Sequence, residues 1–342
     1  MIRLLSLCAL APAAAFAEVP RVMTDFAPVH SLTAQVMGDL GTPDLLLPPG
    51  ADPHDFALRP SDAGNLGQAD LLIWTGPGLT PWLTDTIATL APQAAQLTLL
   101  DVPGWATLPI RDIQTFAVPE AEDAHDDHAH DDHDDHAHDD HSHDDHGHDA
   151  HGHDDHDHSH DHDHDHDHGD FDPHAWLDPT IAQVWVAAIA DQLSTADPDN
   201  AATYASNADA AIARLAALDT ALAAQMAPLA GRAYILPHDG YQYFETRYGL
   251  TAAGAISGID ARTPGPAQIA SLRDQMAASD IVCVFSDAEI GERWATVVTE
   301  GTGAHMARID GVGLDLDSGA DLYAALVQRL ADDFSACLGD AD

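Results

Sequence analysis

The chain contains no lysine. Its twelve basic residues are all arginine, set against 57 aspartates and glutamates, and the formal charge is −45 over 342 residues. So little positive charge excludes a groove that tracks nucleic-acid phosphates and a face that docks on anionic lipid. It suits a protein that draws in cations. Cysteine is nearly absent too, with only Cys8, Cys283 and Cys337. That excludes the clustered thiolates of a structural zinc module. Beyond the first twenty residues no segment approaches eighteen consecutive apolar residues, so no membrane span is expected.

The N-terminus is the exception to the polar trend. Arg3 supplies a positive start, Leu4 to Ala15 form a short apolar run, and Ala15-Phe16-Ala17 is a small-residue cleavage site. Residues 1–17 are therefore expected to be a signal peptide. Cys8 lies inside it and is discarded with it. Two cysteines, Cys283 and Cys337, remain in an exported chain, where one disulfide is the expected state. Closing a loop of that size contributes roughly 4 kcal/mol in the chain-entropy model.

Alternation of short apolar runs with helical spacing fixes the expected fold class as α/β. Strands are predicted at 21–25, 44–48, 70–75 and 97–101, with helices at 29–40, 61–68 and 79–90 between them. Ser61, after Pro60, is placed as a helix N-cap. A second set follows, with strands at 233–236, 250–256, 280–285 and 305–310 and helices near 241–248, 266–279, 289–300 and 319–336. Between the sets, a helix starts near Pro179. A longer one, about 198–227, carries Tyr204, Ile212, Leu215, Leu218, Leu222 and Met226 on one face. Thirty residues at helical rise reach roughly 45 Å, long enough to join two lobes. The expected organisation is an N-terminal lobe at 18–178, helices over 179–230 and a C-terminal lobe at 231–342. These are two Rossmann-like lobes joined by a single long helix. Cys283 on a strand and Cys337 at the end of the last helix would pin that helix to its sheet.

Residues 119–170 interrupt the first lobe. From 120 to 170 there are 22 acidic residues and no basic one. Apolar periodicity is missing, so a disordered insertion is expected. It holds nineteen histidines: His125, His128, His130, His133, His136, His138, His141, His143, His146, His148, His151, His153, His156, His158, His160, His162, His164, His166 and His168. Any pair can hold Zn²⁺, but doing so orders flexible chain at roughly 1–2 kcal/mol per residue. Several weak, exchanging sites are expected there, accessory to a tighter one elsewhere.

Ligands of open α/β sheets bind at the carboxyl ends of strands. His54 sits in "PPGADPHDF" after the second predicted strand, His174 in "DFDPHAWLDP" on a loop entering a helix, and His238 in "AYILPHDGYQYF" between strand and helix. Three imidazoles and one oxygen donor make a familiar four-coordinate zinc set. His30, after the first strand, faces either the cleft, as part of a second site, or solvent. His305 is expected to pack in a strand. Arg59 is expected to brace the first histidine loop, and Trp82 and Trp176 to sit in the core. No nucleophile or general base accompanies the histidines, so no enzyme is expected.

The stretches "PPGADPHDFALRPSD", "ADLLIWTGPGL", "DPHAWLDP", "PHDGYQYFETRYGL" and "CVFSDAEI" resemble the periplasmic metal-binding proteins of ABC uptake transporters, the solute-binding family for zinc and manganese. The resemblance spans nearly the whole chain after residue 17. The His/Asp-rich insertion resembles that of the zinc-specific branch. The resemblance implies a high-affinity periplasmic zinc receptor that serves an ABC permease and its ATPase, with a periplasmic zinc chaperone as a further partner and a monomeric state. It implies His54, His174 and His238 as ligands and a Cys283–Cys337 bridge. It implies a metal site in the cleft between the two lobes and Asp310 as a fourth ligand, with water as the alternative. Asp287 and Glu289, which lie after another strand, are further carboxylate candidates. Some members use a carboxylate just before the first ligand histidine, where this chain has Pro53. A zinc buffer or metallochaperone without a transporter, and a manganese receptor, are the other functions compatible with these residues.

Overall fold

The computed structural model describes residues 19–49, 51–111 and 171–339. The expected signal peptide and the His/Asp-rich insertion with its nineteen histidines lie outside the described residues.

The first lobe runs β1 (Val22–Thr24), α1 (Ala27–Met37), β2 (Asp44–Leu45), α2 (Pro60–Leu66), β3 (Leu71–Trp74), α3 (Leu83–Leu90) and β4 (Ala95–Thr98). Its strands are all parallel, in the order β2-β1-β3-β4. Two helices follow, α4 (Pro179–Ala196) and α5 (Ala201–Met226). The second lobe runs β5 (Ala233–His238), α6 (Gln242–Tyr248), β6 (Gly254–Ser257), α7 (Pro266–Ala278), β7 (Ile281–Ser286), α8 (Glu292–Thr299), β8 (His305–Arg308) and α9 (Leu322–Gly339). Its parallel strands repeat the pattern as β6-β5-β7-β8. In each sheet the direction of strand addition reverses once, between β1 and β3 and between β5 and β7. These reversals are where a crevice opens at the carboxyl edge.

Strand residues alternate between two buried faces. Leu71 and Ile73 join the large central core, and Leu72 and Trp74 pack outward against Leu66, Leu83 and Ile87. In the second sheet Tyr234 and Leu236 face the central core, while Ile235 faces Ile269 and Leu272. Burial on both faces is what a parallel sheet demands. The central core is continuous from one lobe to the other. At the seam, Trp176 donates its indole N–H to the Gly311 carbonyl at 2.8 Å, and Tyr323 donates its hydroxyl to the Trp176 carbonyl at 2.6 Å.

Helix α5 has 26 residues, about 39 Å at helical rise. Its buried face is Tyr204, Ala208, Ala211, Leu215, Asp219, Leu222 and Met226. Near its start Asn207 donates to the Val36 carbonyl of α1 at 3.0 Å; near its end Gln225 bonds Asp332 of α9 at 2.9 Å. It is thus tied to both lobes. Including its flanking turns, Pro198–Leu229 is long and apolar enough to cross a membrane by length and composition. Alanine supplies that apolarity, and the ties to α1 and α9 account for the helix within the fold. Asp219 on its buried face is held by the Arg247 guanidinium of α6, with Nε at 2.8 Å.

Cys283 of β7 and Cys337 of α9 form the disulfide, 54 residues apart. Other expectations shift. The fourth strand of the first sheet is Ala95–Thr98, not 97–101, because Leu99 and Leu100 turn in a short 3-10 segment and enter the core. Ser61 is the second residue of α2, which Pro60 opens. His305 does open a strand but is exposed.

Candidate metal centre

His238 is the last residue of β5, at the crevice between β5 and β7. Across the crevice, Asp287 follows β7 and its Oδ2 lies 2.7 Å from His238 Nδ1. The carboxylate holds Nδ1–H, which leaves Nε2 facing the pocket. The second Asp287 oxygen accepts the Ile290 N–H at 2.8 Å. Burial alone would lower the His238 pKa. The charges of Glu289, Asp287 and Asp239 overcome it and lift the group to about 9.

His174 reaches the same place from the other strand of connection. Asp172 Oδ1 accepts both the His174 backbone N–H at 2.9 Å and its Nδ1–H at 2.8 Å. Again Nε2 is left to point inward. Asp172 is fully buried, and desolvation raises its carboxyl to about 7 against the pull of the His174 amide and Arg111. His54 completes a row, its ring centroid 5.4 Å from that of His174, which in turn lies 5.5 Å from that of His238. The His54 turn copies that of His174, with Asp52 Oδ1 accepting the His54 N–H at 2.8 Å. Trp82 secures the loop by donating its indole N–H to the Pro53 carbonyl at 2.9 Å. Arg59 does not brace that loop by any side-chain bond found among the described residues. It is exposed, and its backbone N–H turns to Asp62 at 3.3 Å.

Gly240 is what lets two imidazoles converge. A methyl group there would collide with His238 Nε2 and lie 2.9 Å from His174 Nε2. The volume such a methyl would take is the volume the two nitrogens share. Trp176 and Tyr241 wall the pocket, with ring centroids 5.1 Å from His174 and 5.5 Å from His238. The cavity is about 30 Å³, room for a water or an ion. An organic ligand needs roughly 300–1,000 Å³.

Four carboxylates approach the cavity. Asp310 lines it, yet Oδ1 accepts the N–H groups of Val312 and Gly313, both at 2.9 Å, and Oδ2 that of Leu314 at 2.7 Å. Asp287 is engaged as described, and Asp52 holds its own turn. Glu289 stands 3.6 Å from His238 Nε2, its Oε2 buried without a hydrogen-bond partner. His238, Asp287 and Glu289 form a group whose ligand atoms all lie within 4.8 Å of one another. His30 takes neither orientation expected of it. It is buried, and its Nε2–H donates to the Pro43 carbonyl at 3.0 Å.

Behind the pocket, Arg111 ties the lobes together. Its Nε donates to Asp239 at 2.9 Å and its terminal nitrogen to Glu245 at 2.7 Å. Glu245 also accepts the Tyr234 hydroxyl at 2.6 Å. The roles of Asp172, Asp239 and Gly240 went unread in the sequence. One signal was present. Each of the three converging histidines follows a proline, and two of them stand in the tripeptide Asp-Pro-His. His30 and His305 follow valine and alanine.

Two parallel α/β lobes, a long helix tied to both and a pocket of ionic size at the carboxyl edge define the two-lobed solute-binding class. The ZnuA family model (zinc-uptake complex component A, periplasmic) matches residues 22–337, and the chain belongs to that family. A high-affinity zinc uptake system protein ZnuA of Paracoccus denitrificans is 48% identical over 324 residues, covering 94% of this chain and 93% of the relative. The protein of that name from Brucella abortus is 39% identical over 317 residues, covering 93% and 91%. A crystal structure of ZnuA superposes with a TM-score of 0.67 at 20% identity, over 92% of this chain and 100% of the other. That likeness concerns the fold.

Proposed function

We propose that the chain is a periplasmic receptor that captures Zn²⁺ between its lobes and hands it to an ABC permease driven by its ATPase. The carrying observation is the convergence of His174 and His238 Nε2 beside Gly240, each imidazole held at Nδ1 by a buried carboxylate. Carboxylate-anchored imidazoles are the usual support of zinc ligands. With His54 in the same row, 5.4 Å from His174 between ring centroids, three imidazoles are gathered at one site, a set that favours zinc over manganese or calcium. An oxygen donor from the pocket wall completes four-coordination.

The remaining expectations fit this role. Residues 1–17 direct export. The insertion at 119–170 gathers cations through weak sites and its negative field. The lobes at 18–178 and 231–342, linked through 179–230, hold the tight site as a monomer, and a zinc chaperone would load it from outside.

Zinc titration of the full chain under chelator competition tests the reading. One tight site is expected above a set of weak ones, and His174→Ala or His238→Ala should abolish it. Retention of the tight site in both variants would overturn the assignment. Manganese that competes on equal terms with zinc would exclude a zinc-specific receptor.

A further inference from the structure

We propose that Glu289, on the turn after β7, supplies the oxygen that completes the metal site. The inference rests on the zinc-receptor reading and adds a ligand to it. The carboxylates around the cavity differ in how far their oxygens are already engaged. Asp310 is the most heavily engaged, its two oxygens accepting three backbone N–H groups. Each Asp287 oxygen is already engaged, one by His238 Nδ1–H and one by the Ile290 N–H. Asp52 closes the His54 turn. Glu289 Oε2 is buried with no hydrogen-bond partner.

Its position has the right metric. Oε2 lies 3.6 Å from His238 Nε2, too long for a hydrogen bond. Two donors each about 2.0–2.1 Å from one tetrahedral Zn²⁺ lie about 3.3–3.4 Å apart. The observed spacing is thus close to that of two ligands of one ion. A buried carboxylate oxygen without a hydrogen bond is costly, and a metal cation between it and an imidazole lowers that cost. Its neighbour Asp287 fixes the His238 ring, so residues 287 and 289 divide the work: one orients the imidazole and the other coordinates beside it. Asp310 retains a separate task, holding the loop at 311–314 against the pocket.

The test uses the full chain and two probes. Zinc affinity is measured by chelator competition. Cobalt(II) at one equivalent fills the tightest site first, and its visible absorption reports the donor set. Glu289→Gln should weaken zinc by about tenfold or more and alter the cobalt spectrum. Asp310→Asn should leave the cobalt spectrum as in the unsubstituted protein. Glu289→Gln with an unchanged cobalt spectrum, whatever its affinity, would overturn the assignment, as would a spectral change confined to Asp310→Asn. His238→Ala in parallel separates the two levels. If it loses the tight site while Glu289→Gln changes nothing, the receptor stands and the glutamate ligand falls. If it too changes nothing, the receptor reading fails.

Discussion

Asp172 and His174 are joined twice across a single proline: one carboxylate oxygen accepts both the backbone N–H and the ring Nδ1–H of the histidine, at 2.9 and 2.8 Å. The turn and the tautomer are therefore set by the same atom. Asp172→Asn keeps the shape and removes the charge that makes the imidazole a strong donor. Zinc affinity should fall by about 10–100-fold, the usual effect of losing such a partner. Competition titration at neutral pH measures it, and an unchanged affinity would show that the turn alone suffices.

Gly240→Ala is the most selective probe of the pocket. Its methyl would occupy the point where the two Nε2 atoms meet. Tight zinc binding should weaken by about a hundredfold or more. The metal-free protein should keep its circular dichroism spectrum and its melting temperature within a few degrees. Tight binding in this variant would mean that the nitrogens do not share that point.

Arg111 neutralises two carboxylates that have no water to turn to, Asp239 and Glu245. Arg111→Ala strands both. Breaking one partner out of a buried ion pair costs about 3–5 kcal/mol, and urea denaturation of the metal-free chain should show a loss in that range. A loss under about 1 kcal/mol, the worth of a surface pair, would place the guanidinium in solvent.

The disulfide pins α9 to β7 across 54 residues. Replacing Cys283 and Cys337 together by alanine should destabilise the chain by about 4 kcal/mol, mainly by freeing the unfolded state. Zinc affinity of the fraction that remains folded should be unaltered, since neither sulfur lines the pocket. Denaturation with and without reductant gives the first quantity.

The metal-free protein should become less stable as pH rises. Burial holds the Asp172 and Asp239 carboxyls at about 7. Burial works the other way on His238, but its acidic neighbours hold it at about 9. Each group keeps its proton in the folded chain at a pH where the unfolded chain has lost it. Stability is thus lost from about pH 4 to 7 through the carboxyls and from about 6.5 to 9 through His238. Melting temperatures under chelation should fall from pH 5 to pH 8.5, and His238→Ala should flatten the upper part of that slope. Zinc, which replaces the proton on His238, should stabilise most at the alkaline end. A rising profile without metal would refute this.

The fold was legible because both lobes obey one simple grammar. Strands such as Leu71–Trp74 and Ile281–Ser286 are buried on both faces and read as unbroken apolar runs. Amphipathic spacing marked the face of α5 in the same way. The edge strand Ala95–Thr98 was misread because it opens on exposed Ala95 and Gln96, while the apolar Leu99 and Leu100 beyond it belong to a turn. The three histidines stood out by their place after strands or before a helix. The groups that act through them did not. Asp172 and Asp287 look like ordinary loop acids in a chain full of aspartate, and their roles depend on which ring nitrogen they meet. Asp310 and Glu289 differ only in where their oxygens are already spent, which no linear pattern records.

The two sheets share one strand order, so the molecule has two equivalent carboxyl-edge crevices. At the first, Asp25 closes the gap itself. Its oxygens accept the Thr75 N–H at 2.7 Å and the Phe26 N–H at 2.9 Å, and it is wholly buried. At the second, the corresponding edge carries His238 and leaves a hollow. One strand order, used twice, thus has one mouth closed by a carboxylate and one that leaves a hollow.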